Sequence, residues 1–470
     1  MRYALILTAA LLFILPGCQT SAYLVKALAP LENEGEVYLY TNPFPQEASR
    51  LKFSVAGMSA VRDDGREFPL SLYRPDVNGR EMTRQRIFAS GRLEPGSYTG
   101  FSIKAGKAAL DTEEGEAALL IPKEPAVIKA PFVVGSRKAA LLELTFNYAD
   151  AVRKGFGFTP VFTAAAPEKP ITELTGYVSN TGSQDLAVFD KKTRRVVGYI
   201  PTGRGPSGMA FDQAGRRAYV CLSGDDEVEV IDLAAGAELS RIRLDVGDNP
   251  RELGLTPDGR LLVTVNGGSN SVSFVDPASL TVLKKVGVGE GPVSILMDRA
   301  GMTAYVFNYR SNSISVLDLV GRKVSGTIPT EPGPLRGQLS RAGDRLYVVH
   351  AGSPYMTVFS VPLNEVLNRV YIGIGALSIK VDPRTDLIYV GKSDETRISV
   401  YDPFSFIPID YIDTPAAAGY MAIDGQEDNL LAVMPDNRRI AVISLDSRKT
   451  IAVFDAGDDP YYISLMGERY

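Results

Sequence analysis

Residues 171–470 repeat one arrangement of apolar and polar positions seven times, at intervals of 42 or 44 residues. Each unit holds short apolar segments separated by Gly, Asn, Asp and Pro turns, which predicts four short β-strands and no helix. The third segment of the units ends in turn at Asp190, Asp232, Asp276, Asp318, Ser360, Asp402 and Ser444. A period of about 40 to 50 residues with four strands is typical of a propeller blade. The pattern therefore predicts a seven-bladed β-propeller.

The second full unit shows how a blade forms. Asp258-Gly259 lies between two apolar segments, Leu253–Leu255 and Leu261–Val265. Asp-Gly is the preferred sequence of a tight β-hairpin, so these segments are predicted to pair as antiparallel strands. A single four-stranded sheet cannot bury both of its apolar faces, and neighbouring blades must therefore stack around an axis.

The two ends of the repeat region predict how the ring closes. The region begins with a second-strand sequence near Tyr177 and ends with a first-strand sequence, Pro460–Leu465. We expect this terminal strand to complete the first blade, which would leave few free sheet edges.

Tyr177-Val178-Ser179-Asn180 and Tyr305-Val306-Phe307-Asn308, each followed by V-x-V-hydrophobic-Asp and then Gly-x-x-Pro, resemble the YVTN family of β-propeller repeats. The resemblance covers residues 171–470. Later units depart from the pattern at Ala376, Ala418, Ser360 and Ser444. The resemblance implies a seven-bladed propeller and no single chemistry.

Residues 23–163 lack the repeat but alternate in the manner of β-strands, as at Leu51-Phe53-Val55 and Leu142-Leu144-Phe146. Turn sequences such as Asn78-Gly79 separate these segments, which predicts a β-sandwich of about seven or eight strands. Residues 164–170 read as a linker. The predicted fold class is all-β, with an N-terminal β-sandwich followed by the propeller.

The first residues predict where in the cell the protein is located. Met1-Arg2 precedes an apolar run too short to span a membrane, so residues 1–17 read as a signal peptide. Leu15-Pro16-Gly17-Cys18 resembles the bacterial lipobox, which implies a lipidated Cys18 and a short tether over 18–22. Because Gln19 is not aspartate, the resemblance implies an outer-membrane lipid anchor, with the protein facing the periplasm or the cell surface. The alternative is a cleaved secretory signal with an incidental cysteine.

Composition limits the classes of binding partner that this protein can have. The chain has 470 residues, a net charge of −5 and a pI near 5.3, which argues against binding to a nucleic-acid backbone. With Cys18 acylated, Cys221 has no partner within the chain, and its apolar strand predicts a small buried side chain. We expect a monomer that contacts the membrane through its lipid and has a protein partner.

The chain has one histidine, His350, and no tryptophan. Haem, copper and catalytic zinc sites of propellers use several imidazoles, so no cofactor or metal is predicted. His350 reads as a polar turn residue, with a catalytic triad as the alternative. The acidic run Asp225-Asp226-Glu227 could hold Ca²⁺, although a solvated loop is the more ordinary interpretation.

The funnel around the propeller axis, where seven inner strands start together, is the predicted place for a binding site. Most blades have small or apolar residues at these positions. The candidate binding residues depart from that norm: Arg251, Glu252, Arg336, Tyr420 and Tyr461. The alternative is that the charges are solvated and the tyrosines pack between blades.

Taken together, these features predict a non-enzymatic, lipid-anchored propeller that presents a protein- or ligand-binding surface, with the sandwich as a spacer or second binding module. Two alternatives stay open. One is a lactonase-like hydrolase with its active site in the funnel, using Glu252 or His350 as general base and Arg251 or Arg336 to polarise the carbonyl. The other is an accessory subunit of an exported redox or transport complex.

Overall fold

Alternating apolar positions before the repeats form two large β-sheets and one two-stranded sheet in the computed structural model, which describes residues 29–468. The strands are β1 (Gly35–Thr41), β2 (Leu51–Arg62), β3 (Glu67–Pro69), β4 (Ser71–Leu72), β5 (Asp76–Asn78), β6 (Arg86–Leu93), β7 (Gly96–Thr112), β8 (Gly115–Ala118), β9 (Ala126–Val134), β10 (Ala139–Phe146), β11 (Val152–Arg153), β12 (Gly157–Phe158) and β13 (Phe162–Ala165). Short helical turns are α1 (Tyr148–Ala151) and the 3₁₀ turns Gln46–Arg50, Gly79–Glu81, Thr172–Leu174 and Pro435–Asn437.

One sheet has the order β13-β10-β1-β6-β4, and a six-stranded sheet is built on β3-β2-β7-β8, with β5 on β2 and β9 on β7. Side chains from both sheets, such as Phe88 and Phe101, share one hydrophobic core. The sheets contain more strands than the seven or eight predicted, because β3, β4 and β5 are too short for apolar alternation to be visible in the sequence. Membership of a known sandwich fold stays a prediction.

Seven four-stranded antiparallel sheets follow, and they confirm the predicted propeller. Blade 1 is β14 (Thr175–Asn180), β15 (Asp185–Asp190), β16 (Arg195–Pro201) and the terminal β41; blade 2 is β17 (Pro206–Asp212), β18 (Arg217–Leu222), β19 (Glu227–Asp232) and β20 (Ala237–Arg243); blade 3 is β21 (Pro250–Leu255), β22 (Leu262–Asn266), β23 (Ser271–Asp276) and β24 (Thr281–Gly287); blade 4 is β25 (Pro292–Met297), β26 (Thr303–Asn308), β27 (Ser313–Asp318) and β28 (Lys323–Pro329). Blade 5 is β29 (Pro334–Leu339), β30 (Arg345–His350), β31 (Tyr355–Ser360) and β32 (Glu365–Tyr371); blade 6 is β33 (Ala376–Val381), β34 (Ile388–Lys392), β35 (Arg397–Tyr401) and β36 (Pro408–Asp413); blade 7 is β37 (Tyr420–Asp424), β38 (Asn429–Met434), β39 (Arg439–Ser444) and β40 (Lys449–Asp455), and β41 is Pro460–Leu465.

The terminal strand closes the ring as predicted. β41 pairs antiparallel with β14, placing Ile463 opposite Val178 and Leu465 opposite Gly176. Each first strand contacts the first strand of the next blade, and β41 contacts those of blades 7 and 2. Both ends of the repeat region therefore share one sheet, which removes the free edge that β14 would otherwise present.

The recurring aspartate has a local role in the turn between third and fourth strands. Asp232 Oδ1 accepts hydrogen bonds from the backbone N–H groups of Ala234 (2.8 Å) and Ala235 (3.0 Å). In blade 5 the Ser360 hydroxyl accepts the equivalent bond from Leu363 N at 3.4 Å. Serine thus stabilises the same turn with a weaker hydrogen bond, which explains why it can replace aspartate at this repeat position.

The N-terminal domain packs against blades 1 and 7. Tyr38 and Tyr40 on β1 join a core cluster that also contains Val178 and Phe454 of the propeller. The ring of Tyr38 stacks on that of Tyr199 with centroids 3.8 Å apart, and the hydroxyls of Tyr40 and Tyr199 are 2.6 Å apart. Since these side chains are buried, the two domains share a hydrophobic core at this interface.

Among residues 29–468, no helix has the length and apolar character needed to span a bilayer. The predicted signal peptide and the lipidation candidate Cys18 lie outside the described residues. Strand β13 reaches Ala165, within the segment predicted as a linker.

Candidate binding site in the central funnel

A β-bulge at the start of most inner strands sets the direction of the funnel side chains. In blade 3 Pro250 pairs with Asn266, and the next paired residue is Glu252, opposite Val265, so Arg251 is the extra residue. Proline suits this place because it has no backbone N–H to offer the ladder. Blade 6 keeps the bulge with Ala376 in place of proline. The bulge presents the residue after it toward the neighbouring blades.

Where that residue is serine, it joins adjacent blades. Ser294 Oγ of blade 4 donates to the Leu335 carbonyl of blade 5 at 2.6 Å, and Ser378 Oγ of blade 6 donates to the Ala418 carbonyl of blade 7 at the same distance. The larger side chains at equivalent positions do something different. The two charged ones, Glu252 and Arg336, bond to each other across an intervening blade.

Glu252 of blade 3 and Arg336 of blade 5 form a buried ion pair across blade 4. Arg336 Nη1 donates to Glu252 Oε1 at 2.8 Å and to Oε2 at 3.1 Å. The Glu252 side chain is only 3% exposed. The guanidinium carbon of Arg336 also lies 4.7 Å from the ring centroid of Tyr420, a cation–π contact. Three of the five predicted residues therefore meet in one cluster.

Tyr462 completes this cluster, which we call the funnel cluster: Glu252, Arg336, Tyr420 and Tyr462. The rings of Tyr420 and Tyr462 are 4.0 Å apart between centroids. Tyr462 was not among the predicted candidates, although it aligns with Tyr420 one blade further on. Two tyrosines at one repeat position were the signal that could have identified it.

Burial dominates the electrostatics of the cluster. It raises the pKa of Glu252, and the Arg336 guanidinium acts against that rise. Burial also disfavours the charge on Arg336, but the Glu252 carboxylate outweighs it, so the pKa of Arg336 is raised. Two hydrogen bonds from one guanidinium favour the ionised carboxylate, so we treat the pair as charged. The pKa of Tyr420 is raised, chiefly by burial, which keeps its hydroxyl protonated.

The other two candidates lie beside this cluster. Arg251 is exposed at the bulge, and its side chain runs along Gly267. Tyr461 is half-buried, and burial raises its pKa, with Arg336 opposing. A second ion pair, Lys380 to Glu468 at 2.9 Å, is buried near the end of the chain and was not predicted. Its two residues fall at positions where the repeat pattern carries no consistent charge.

His350 does not join the funnel cluster, and it lies at the end of a second strand, where a polar turn residue was predicted. It is the last residue of β30 and is fully buried, with Nδ1 3.1 Å from the Tyr355 carbonyl. It takes the place of Asn308 in blade 4, whose amide donates to Ser313 and Ser315. Burial lowers the pKa of His350 to about 4, so the imidazole is neutral at physiological pH.

The acidic side chains of Asp225-Asp226-Glu227 in blade 2 pair with arginine side chains and accept hydrogen bonds from backbone N–H groups. Asp225 pairs with Arg204 at 2.6 Å, and Glu227 pairs with Arg241 at 3.0 Å. Asp226 accepts from the backbone N–H of Asn249 at 2.7 Å. Within the described part of the chain, no three His, Cys, Asp or Glu side chains are grouped closely enough to hold a metal ion. Cys221 is buried in β18, as its apolar strand predicts.

The outer rim of the propeller carries a second candidate surface. Most of the large apolar side chains that the described blades expose lie on blades 5 and 6 and the loop between them. The rim patch is defined as Leu367, Tyr371, Ile374, Phe404, Ile407 and Tyr411. Tyr371 is 71% exposed and Phe404 is 79% exposed. A concentration of exposed large apolar side chains on neighbouring blades is typical of interaction sites.

Comparison with known proteins supports the fold. A family model described as YNCE-like beta-propeller matches residues 182–384. No curated protein matches this chain. Together with the seven four-stranded sheets, the family match makes this chain a β-propeller repeat protein.

Solved structures with similar folds have low sequence identity to this chain. Kuenenia stuttgartiensis hydrazine synthase is 16% identical with a TM-score of 0.53, over 58% of this chain and 94% of that chain. A functionally unknown protein from Desulfotomaculum acetoxidans DSM 771 is 14% identical with a TM-score of 0.55, over 62% and 98%. Dihydro-heme d1 dehydrogenase NirN, solved in complex with DHE, is 14% identical with a TM-score of 0.50, over 61% and 64%. These likenesses concern the fold alone.

Proposed function

We propose that this protein is a non-enzymatic binding module that docks another protein on the rim patch of blades 5 and 6. The observation that carries the proposal is the concentration of exposed apolar side chains there. A soluble surface rarely keeps such side chains together unless a partner covers them. The funnel cluster also favours a docking surface outside the funnel, because its charges neutralise each other and its tyrosines fill space between inner strands.

Site-specific photocrosslinking tests this proposal with a matched control inside the chain. Leu367 on β32 and Leu283 on β24 occupy the same repeat position and are 54% and 43% exposed. A photoreactive residue at 367 or 371 is expected to give a discrete adduct with a second protein in cells that express the chain. The same probe at 283 is expected to give none. Equal adducts from 283 and 367 would contradict docking at the rim patch.

A third probe separates the rim patch from the funnel. Placed at 251, it lies at the exposed bulge beside the funnel cluster. An adduct from 251 alone would move the binding surface to the funnel. An adduct of twice the chain's mass from 367 would indicate a dimer instead of a different partner, against the expected monomer.

The proposal includes lipid anchoring at Cys18 in the outer membrane, which rests on the lipobox resemblance. More than one acyl chain is needed for stable anchoring, and a lipoprotein cysteine supplies them. Cys18→Ser is expected to move the protein out of the membrane fraction or to block its maturation, and labelling with a fatty acid should mark the wild type only. Equal labelling of the variant would rule out acylation at this residue.

The proposal also predicts that the funnel does not hydrolyse lactones. Both oxygens of Glu252 accept hydrogen bonds from Arg336, which leaves a poor general base. We expect no turnover above background for the wild type or for Glu252→Gln against a panel of sugar and acyl-homoserine lactones. A wild-type rate that falls about a hundredfold in the variant would instead favour the hydrolase.

A further inference from the structure

A cavity of about 240 Å³ lies between the N-terminal domain and blade 7, away from both surfaces described above. Tyr73 and Arg74, which follow β4, line one side. Asp436, Asn437, Arg438 and Arg439, at the turn between β38 and β39, line the other, and Asp455 of β40 also lines the cavity. A second cavity, of about 350 Å³, shares Arg439 and continues along β40. Both domains therefore contribute walls to one arginine-rich cleft.

Most of the arginines in this cleft are already paired. The Asp455 carboxylate forms ion pairs with Arg84 at 2.9 Å, Arg86 at 3.1 Å and Arg439 at 3.5 Å. Arg438 pairs with Asp458 at 2.8 Å. One buried carboxylate thus serves three guanidinium groups, so positive charge exceeds negative charge around it even with the exposed Asp436 on the cavity wall.

Arg74 is the exception among them. It is half-buried, and no acidic side chain of the described residues lies within ion-pair distance of its guanidinium. Burial lowers the pKa of Arg74; the charges of Asp455 and Glu81 oppose this lowering, and those of Arg439 and Arg84 add to it. The charged guanidinium therefore lies in an environment that disfavours it and that a bound anion would improve.

Tyr73 offers a second donor to the same cavity. Its hydroxyl accepts a long hydrogen bond from Ser90 Oγ at 3.5 Å, and that bond does not use the tyrosine's own proton. Burial raises the pKa of Tyr73 to about 12, so the hydroxyl keeps that proton. A guanidinium fork and a hydroxyl donor that line one cavity suit the oxygens of a carboxylate or phosphate group.

We propose that this cleft binds a small oxyanion, the carboxylate or phosphate group of a ligand, between Arg74 and Tyr73 of the N-terminal domain and Arg438 and Arg439 of blade 7. The bound group would connect the two domains through charge-assisted hydrogen bonds. Occupancy of the cleft would then stabilise the docked arrangement of the domains, because only that arrangement brings both sets of donors together. This inference does not depend on the rim patch.

Calorimetric titration of the purified chain with two probes tests the proposal, with ionic strength held constant by chloride. Inorganic phosphate represents a phosphoryl ligand and succinate represents a carboxylate ligand. Saturable binding of at least one probe is expected in the wild type. Arg74→Gln should weaken it about tenfold or more, the usual scale for a charged hydrogen bond. Arg310→Gln, which removes an exposed arginine of blade 4, should leave it unchanged.

Tyr73→Phe protects the test against a folding defect in Arg74→Gln, because it removes one hydroxyl and keeps the ring. It should weaken binding by a smaller factor, and circular dichroism should show both variants folded. Binding of phosphate alone or of succinate alone would each support the site and identify its ligand class. Absence of saturable binding in the wild type, or equal binding in Arg74→Gln and Arg310→Gln, would overturn the proposal.

Discussion

The hydroxyl of Tyr38 lies 2.8 Å from Asp185 Oδ2 in blade 1 and 2.9 Å from Glu36 Oε2 in its own strand. All three side chains are buried at the interface between the domains. One hydroxyl proton cannot serve two carboxylates, so the arrangement favours a protonated carboxyl. Burial, with the charge of Asp185, raises the pKa of Glu36 to about 7, and burial raises that of Asp185 to about 6.

This cluster predicts that stability falls as pH rises. The pKa of Glu36 is raised from 4.5 to about 7 in the folded protein. Its stabilising contribution is therefore complete below about 4.5 and is lost as pH rises through about 7, by about 3 kcal/mol in total. Glu36→Gln mimics the protonated form, so we expect it to raise the melting temperature at pH 8 and to flatten the decline between pH 5 and pH 8.

The matched control for that experiment is Glu34→Gln, since Glu34 is exposed and two residues away. It should keep most of the wild-type pH profile, because the charge of Glu34 makes only a small contribution to the raised pKa of Glu36. Some decline should persist in Glu36→Gln, because burial also raises the pKa values of Asp185 and Glu229. A Glu36→Gln profile parallel to that of the wild type would contradict the assignment.

His350→Asn should stabilise the protein at low pH. The folded-state pKa of His350, about 4, lies below its ordinary value of 6.5, so stability is lost as pH falls below 6.5. Asparagine removes this loss. Its amide can also donate to Thr357 Oγ1, which has no partner among the described residues, as Asn308 donates to Ser315 at 3.0 Å. Thermal unfolding at pH 5 and pH 7 measures both effects, and a variant less stable at both values would refute the comparison of the two blades.

Ile463→Ala should weaken the closure of the ring. Ile463 is fully buried on β41 and lies opposite Val178 on β14. Truncation of such a side chain costs about 2–5 kcal/mol in free energy of unfolding. Ile451→Ala, on the exposed side of β40, is the control and should cost far less. Equal urea midpoints for the two variants would mean that β41 is not needed to hold blade 1 together.

Glu252 and Arg336 should be strongly coupled. Glu252→Gln leaves a buried guanidinium without its counter-charge, and we expect a loss of about 3 kcal/mol in free energy of unfolding. Arg336→Met should cost a similar amount. The double variant should cost clearly less than the sum of the two, because both charges leave together. Additive losses in urea unfolding would show that the ion pair contributes no coupling.

The repeat pattern along the chain is sufficient to predict the architecture of the propeller. Seven copies of one strand pattern and a first-strand sequence at Pro460–Leu465 are enough to predict the blades and their closure. Such features are local: each strand and turn depends on residues close to it in the chain, and the repeat reports them seven times over.

Which of the unusual residues contact each other depends on how distant segments of the chain pack. Glu252 and Arg336 come from blades 3 and 5, and their pairing depends on the width of the funnel, which no single repeat encodes. His350 lies at the end of a strand, where turn residues are ordinarily solvated, yet surrounding segments of the same chain bury it. The contact of Tyr38 with Asp185, and the cleft around Arg74, arise where a domain without repeats docks on the ring. Burial and pKa shifts at such places depend on packing between segments that are distant in sequence, so only the folded chain specifies them.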